Sequence, residues 1–357
     1  MKELSWFVLV LAGALSSSLA LSETKEKMTD INVCYISYRE EMATAALYAA
    51  DKKGFFAENG IRIHWKKDHK LPAKYFYKNN NLGLMGKAAT YAFGEMSSAD
   101  ELREGRCDVA SSTFEAILGA GFVDLKAFQP LAAYRYGKDY DTHLAQRADL
   151  HIKNLSELKG KRIRASGIAV MVILDSILKS VGLTLNDVDA QLDDVASLAA
   201  DFDSKKADLV IAYVPTVPML LASNRVTILE KNVYSRFLKG TSVPHSLLVA
   251  NRTFAKQHSE ILKKFMLGFK QGAKEISKHP ENVIYGADII DYPEKVYAKK
   301  DIEKSLNFFS VQEPLYADAD QKSFFNKAQF VQYQKELVDR YFIKKPADLS
   351  PWSEVVE

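Results

Sequence analysis

The feature that most constrains this chain is an alternation: short apolar strands run into helices, and the helices stop at glycine. Ile31–Tyr38 (INVCYISY) is strand-like, rich in β-branched and aromatic residues, with a polar exit at Arg39-Glu40-Glu41. Thr44–Lys53 is Ala-rich and helical, and Gly54 supplies the residue type on which helices commonly end. Ile61–Trp65 (IRIHW) alternates as a second strand. Ser97–Glu104 reads as a short helix with Gly105 behind it, Asp108–Ser112 (DVASS) as a third strand, and Phe114–Ala120 as the helix after it. Phe128–Tyr136 and Thr142–Arg147 read as further strands. The pattern then restarts with a turn at Leu155–Gly160, a strand at Arg162–Ala165 and an amphipathic helix at Ala169–Val181 that Gly182 stops. Leu209–Tyr213 and Ser246–Ala250 are strands again, and long helices are expected at Ser259–Ser277 and Gln321–Tyr341. The tail, KKPADLSPW, is expected to lie extended along the surface. Alternating strands and helices define the α/β class with mostly parallel sheets. Two such units in succession, with a return at the end, predict two lobes and a cleft.

The N-terminus sets an expectation about compartment. Lys2 precedes an apolar run, Trp6–Leu15, and a small-residue stretch, Ser16–Ser22. Charge, apolar core and small residues in that order describe a secretory signal. Residues 1–22 are read as a signal peptide, cut after Ala20 or Ser22; the alternative is an uncleaved anchor. The run is short of the roughly 20 residues a membrane span needs. No cysteine follows it as a lipoprotein site, and no later segment is long and apolar enough to cross a bilayer.

Charge and cysteines narrow the field. Lys+Arg number 48 against 45 Asp+Glu, a formal net charge of +3. So weak an imbalance argues against nucleic acid as a partner. The two cysteines, Cys34 and Cys107, fall in the first strand and just before the third. An exported chain meets an oxidising compartment, where such a pair can bridge if the two strands are neighbours. Two separate buried thiols are the alternative.

Six stretches, taken in order, resemble a known family. They are Ala46–Ile63 (ALYAADKKGFFAENGIRI), Leu102–Ser112 (LREGRCDVASS), Leu155–Gly167 (LSELKGKRIRASG), Leu178–Val188 (LKSVGLTLNDV), Ala207–Pro215 (ADLVIAYVP) and Ser246–Pro280. The chain resembles the type II periplasmic solute-binding proteins of ABC importers, in the NMT1/THI5-like or SsuA/TauA-like branch. The resemblance implies a two-lobed fold with a double-crossover hinge near Pro130–Tyr136 and Lys239–His245. Lobe one would be residues 23–130 with an insertion at about 66–94, lobe two 131–239, and 240–357 would return to lobe one with the C-terminal helices. It implies a monomer that captures a small organic solute in the periplasm and hands it to an importer permease, without a cofactor. A sensor that presents solute to a membrane receptor is the alternative.

In open α/β sheets ligands bind outside the carboxyl ends of the strands, where helix N-termini offer free N–H groups. That rule selects Tyr38, Arg39 and Glu41 after the first strand, and Ser111, Ser112 and Thr113 at the third. In lobe two it selects Ser166, Gly167, Tyr213 and Thr216; the crossovers add Arg135, Ser242 and His245. Short hydroxyls at helix starts also read as N-caps. Arg39 and Arg135 suit a ligand carboxylate, sulfonate or phosphate through a planar fork, or else a surface or interlobe salt bridge. The Lys66–Gly94 stretch, basic and aromatic, departs from the family's short link and leaves the solute class open.

Catalysis finds little support in the sequence. A subgroup of the family makes a thiamine pyrimidine with a Cys-rich motif, which this chain with its two cysteines lacks. No nucleophile elbow, His-Glu-x-x-His or phosphate loop is present. The seven histidines are scattered; His64 and His69 have a helix-like spacing at a strand end, so no metal site is expected.

Overall fold

The computed structural model describes residues 28–35, 42–67, 93–119, 125–135, 142–165, 168–192, 195–212, 216–237, 244–279, 299–305, 313–317, 326–340 and 342–353. The expected signal peptide, residues 68–92 of the expected insertion, and both inter-sheet crossings lie outside these. The strands are β1 (Thr29–Tyr35), β2 (Ile61–Lys67), β3 (Val109–Thr113), β4 (Phe128–Arg135), β5 (His143–Arg147), β6 (Arg162–Ala165), β7 (Asp189–Leu192), β8 (Leu209–Ala212), β9 (Val226–Glu230), β10 (Pro244–Asn251) and β11 (Leu315–Tyr316). The helices are α1 (Met42–Lys52), α2 (Phe55–Glu58), α3 (Phe93–Arg103), α4 (Phe114–Gly119), α5 (Ile168–Ser180), α6 (Val195–Asp203), α7 (Thr216–Ala222), α8 (Val233–Phe237), α9 (Arg252–Gln257), α10 (Ser259–Lys278), α11 (Lys299–Ser305), α12 (Lys327–Asp339) and α13 (Ser350–Ser353).

Two sheets result. The first has the order β11-β4-β10-β3-β1-β2 and the second β7-β6-β8-β5-β9. β1 runs parallel to β2 and β3, and β6 parallel to β7 and β8. β10 is antiparallel to both β3 and β4. The chain leaves the first sheet after β4 and rejoins it at β10, a double crossover. β4 stays paired with β10 through Arg135, so the first crossing falls beyond the expected boundary at residues 130 and 131. Pro130 does not end the strand, because proline's missing donor is tolerated where the pairing is irregular. The ladder to β10 shifts register between Leu248 and Val249, at Pro130's own partner.

Helix α10 shows why α1 is placed as it is. Its buried residues, Leu262, Phe265, Met266, Phe269, Ala273 and Ile276, recur at three- and four-residue spacing and form one apolar stripe. That stripe packs on Ala-rich α1 and on Phe56 of α2. Ile31, Val33, Val109 and Leu248 form the sheet side of the same cluster.

A second cluster spans both sheets. Ala110, Leu247 and Val249 of the first sheet join Ile163, Leu209 and Ile211 of the second, with Phe330, Leu337, Phe342, Ile343, Leu349 and Trp352 from the C-terminal region. The tail is therefore not extended along the surface as its sequence suggests. Trp352 is fully buried, with its ring 5.8 Å from Phe114 and 6.2 Å from Phe330. The lysines and prolines of the tail dominate its composition, but its few apolar residues decide where it goes. Helix α12 ties the two units together. Tyr333 donates its hydroxyl proton to buried Glu115 of α4. Arg340 Nη1 reaches Asp175 (2.9 Å) and Ser176 Oγ (2.7 Å) on α5. Burial, and then the Glu115 charge, push the Tyr333 phenol well above its ordinary range, so it remains a donor.

Asp208, before β8, organises the second sheet's edge. It accepts from Arg162 Nε (2.9 Å), Nη2 (2.7 Å) and backbone N (3.0 Å), and from Arg147 Nη1 (3.2 Å). Burial raises its pKa, but the Arg162 hydrogen bonds and the two guanidinium charges outweigh it and hold the carboxyl below the usual range. A depressed folded pKa gives stability that is complete above the unfolded value of about 4 and lost as pH falls through the folded one. Asp208→Asn is expected to cost about 2 kcal/mol near neutral pH, with the gap to wild type closing in acid. Urea denaturation across pH measures this; a gap that persists unchanged in acid contradicts it.

Candidate binding site

The site is built from strand ends that feed helix starts. β1 leads toward α1, β3 passes directly into α4, β6 leads to α5 and β8 to α7. In each sheet this is the carboxyl edge of the parallel strands, where N–H groups of helix first turns lack intrahelical partners.

The first sheet supplies a buried polar floor. Ser111, Ser112 and Thr113 close β3 at 0%, 0% and 1% exposure. Alternation along the strand puts Ser111 on the face of Val109, toward α1, and Ser112 on the face of Ala110. Thr113 Oγ1 accepts the Ala116 N–H at 3.1 Å, so this residue caps α4. Ser246 of β10 sits opposite Thr113 and accepts the Ala43 N–H of α1 through Oγ at 3.1 Å. That bond fixes the first turn of α1 over the end of β3.

Thr44, in the same turn, is the exception to this satisfied polar network. It is 4% exposed, and among the described residues its Oγ1 has no hydrogen-bond partner. Leaving a buried hydroxyl unpaired costs about 1–3 kcal/mol. No acidic side chain stands in the first turn of α1 itself. The site therefore offers a free hydroxyl donor and a helix N-terminus, both suited to an acceptor oxygen.

Among the residues expected from sequence, the structure brings Ser111, Ser112 and Thr113 together and adds Ser246 and Thr44. Thr216 opens α7 fully buried, at the carboxyl edge of the second sheet. Arg135 pairs with Pro244 at the end of β4, and His245 lies next along β10, so their backbones share the edge that carries Thr113. Tyr38, Arg39, Glu41, Ser166, Gly167, Tyr213 and Ser242 lie outside the described residues, as do the side chains of Arg135 and His245. Thr44 and Ser246 were legible only as the start of a helix and the start of a strand; their burial carries no sequence signal. His64, the described half of the histidine pair, binds Asp30 at 2.8 Å.

A groove of about 610 Å³ lies elsewhere, at the start of β4. Leu131, Leu262 and Met266 are among its apolar lining, with Lys256, Lys263 and Lys270. It is at the opposite end of the strand from Arg135 and shares no residue with the site.

Solved structures with this architecture share most of the chain. The alkanesulfonate-binding protein SsuA from Xanthomonas axonopodis pv. citri, bound to MOPS, matches with a TM-score of 0.62 at 14% identity, covering 90% of this chain and 97% of that one. The periplasmic aliphatic sulphonate-binding protein SsuA from Escherichia coli gives 0.60 at 14% identity, covering 90% and 91%. A Candida albicans gene product described as having the generic periplasmic binding protein fold gives 0.53 at 14% identity, covering 92% and 95%. The fold is that of the periplasmic binding proteins. Residues 132–283 also match the NMT1/THI5-like family model. Four of the six resembling stretches fall inside that segment; Ala46–Ile63 and Leu102–Ser112 precede it. No curated protein matches the chain in sequence. Among the described residues no helix is long and apolar enough to cross a membrane. The periplasmic-binding-protein fold accounts for the double crossover.

Proposed function

We propose that this chain is an exported, non-catalytic solute-binding protein that holds a small organic anion between its two lobes and delivers it to an ABC importer permease. The observation that carries the reading is Thr44: a buried hydroxyl with no partner among the described residues, in the first turn of a helix above the Ser111–Thr113 floor. A stable fold retains such a cost where a ligand atom completes the bond. The alkanesulfonate-binding neighbours support an anion with oxygen acceptors, and the family match supports the transport role. The periplasm is the compartment this reading requires.

Thermal-shift screening against alkanesulfonates, arylsulfonates, carboxylates and phosphate esters tests it, because a ligand that binds only the native state raises its melting temperature. A set of such anions with no shift at millimolar concentration would sink the proposal. Thr44→Val, which keeps the shape and removes the hydroxyl, should raise the stability of the ligand-free protein by about 1 kcal/mol. The same substitution should weaken the anion found in the screen about tenfold, by loss of one hydrogen bond. Chemical denaturation and titration calorimetry read the two effects. A variant that loses stability and keeps its affinity places the hydroxyl in the fold and not in the site.

A further inference from the structure

β1 and β3 are hydrogen-bonded neighbours, with Cys34 opposite Ala110. Cys34 and Cys107 have Cα atoms 5.8 Å apart and their sulfurs at bonding distance. A third chemically distinctive group completes the cluster. Glu101, on α3, is 2% exposed, and its Oε2 lies 3.0 Å from Cys34 Sγ and 3.8 Å from Cys107 Sγ. All three donor atoms fall within 4.8 Å of one another. We propose that the dithiol form of this cluster is a binding site for one zinc ion, and that the disulfide form closes it.

The donor set fits that ion. Two thiolates and one carboxylate suit the borderline-soft Zn²⁺, and hard-cation sites are built from oxygen donors instead. Three negative donors in a dry interior are costly unless a cation neutralises them. Zinc removes two of the three charges. Cys107 adjoins the exposed turn Glu104–Arg106, which gives the ion a short route from solvent. The switch balances chemically. A dithiol or phosphine reductant supplies two electrons, the S–S bond breaks, and each sulfur takes up a proton from water. Zinc entry then releases both thiol protons to solvent. The site uses none of the residues that form the floor around Thr44.

The test uses the full chain, reduced with a phosphine under anaerobic conditions, desalted, and titrated with zinc chloride against a chromophoric chelator. One equivalent is expected in the reduced protein, with a raised melting temperature, and none in the oxidised protein. Cys107→Ser and Glu101→Gln should each weaken zinc at least tenfold. Where reduction alone unfolds the chain, zinc present during reduction should preserve the wild-type circular dichroism and fail to preserve that of Cys107→Ser. A reduced protein that takes up no zinc, a rescue that does not occur, or Glu101→Gln binding as tightly as wild type overturns the proposal.

Discussion

Gly272→Ala is expected to destabilise the protein by about 3 kcal/mol, and Gly272→Val to prevent folding. By propensity alone the alanine substitution should help, because glycine in a helix interior is about 1 kcal/mol worse than alanine. Geometry reverses the sign. A Cβ at Gly272 would lie 2.3 Å from the Ala46 carbonyl oxygen, 2.7 Å from Ala50 Cβ and 2.8 Å from Ala50 N. Two of these atoms are backbone, so no side chain can rotate away and α1 must shift from α10 as a unit. A Cβ added at the neighbouring Gly268 would lie 2.6 Å from the Phe56 ring, which sits stacked on Phe265. Gln271→Ala, on the exposed face of the same helix, is the control, with a change within about 0.5 kcal/mol. Urea denaturation of the three variants reads the difference; Gly272→Ala as stable as wild type contradicts it. Any Gly272→Ala protein that folds should also bind solute more weakly, because α1 carries Thr44 and hangs from Ser246 by the Ala43 N–H.

The close approach of α1 and α10 illustrates what the sequence could and could not disclose. The alternation of strands and helices was legible because each element carries its own period and its own stop. Gly54, Gly105, Gly160 and Gly182 all have φ between 72° and 80° in turns where the reading placed helix or turn ends. Gly272 has no such mark: it looks like a flaw in a helix, and only the facing helix explains it. The same division runs through the site. Ser111–Thr113 were candidates by strand-end logic, which is local, and they do close β3. Thr44 and Ser246 depend on β10 lying antiparallel against β3 across more than a hundred intervening residues, and no local pattern encodes that register. The sequence left a bridge between Cys34 and Cys107 conditional on their strands being neighbours, a condition the pairing of β1 with β3 meets, but Glu101 joins the pair from the buried face of a helix whose apolar pattern is weak.

Trp352→Ala is expected to cost about 3–5 kcal/mol. The tail that holds it is rich in lysine and proline, and a surface segment of that composition would tolerate the change within about 0.5 kcal/mol. The structure places the indole at 0% exposure, in one aromatic group with Phe114 at the head of α4 and Phe330 on α12. Phe114 and Phe330 meet edge to face at 4.6 Å, and Phe330 and Trp352 at 6.2 Å. Edge-to-face pairs add about 0.5–1.5 kcal/mol beyond buried area, so a Trp352→Leu and Phe330→Leu cycle should be non-additive by that amount. The effect extends past the local cavity, since the cluster includes residues of both sheets and α12 also carries the Arg340 tie to Asp175. Loosening it frees α12 from α4, whose cap is Thr113 of the proposed solute site. Trp352→Ala is therefore expected to reduce solute affinity as well as melting temperature, although the indole is far along the chain from every site residue. A variant with a melting temperature unchanged within a degree would show that the tail is peripheral, as its composition suggests. A large thermal loss with full solute affinity would separate the C-terminal clasp from the site.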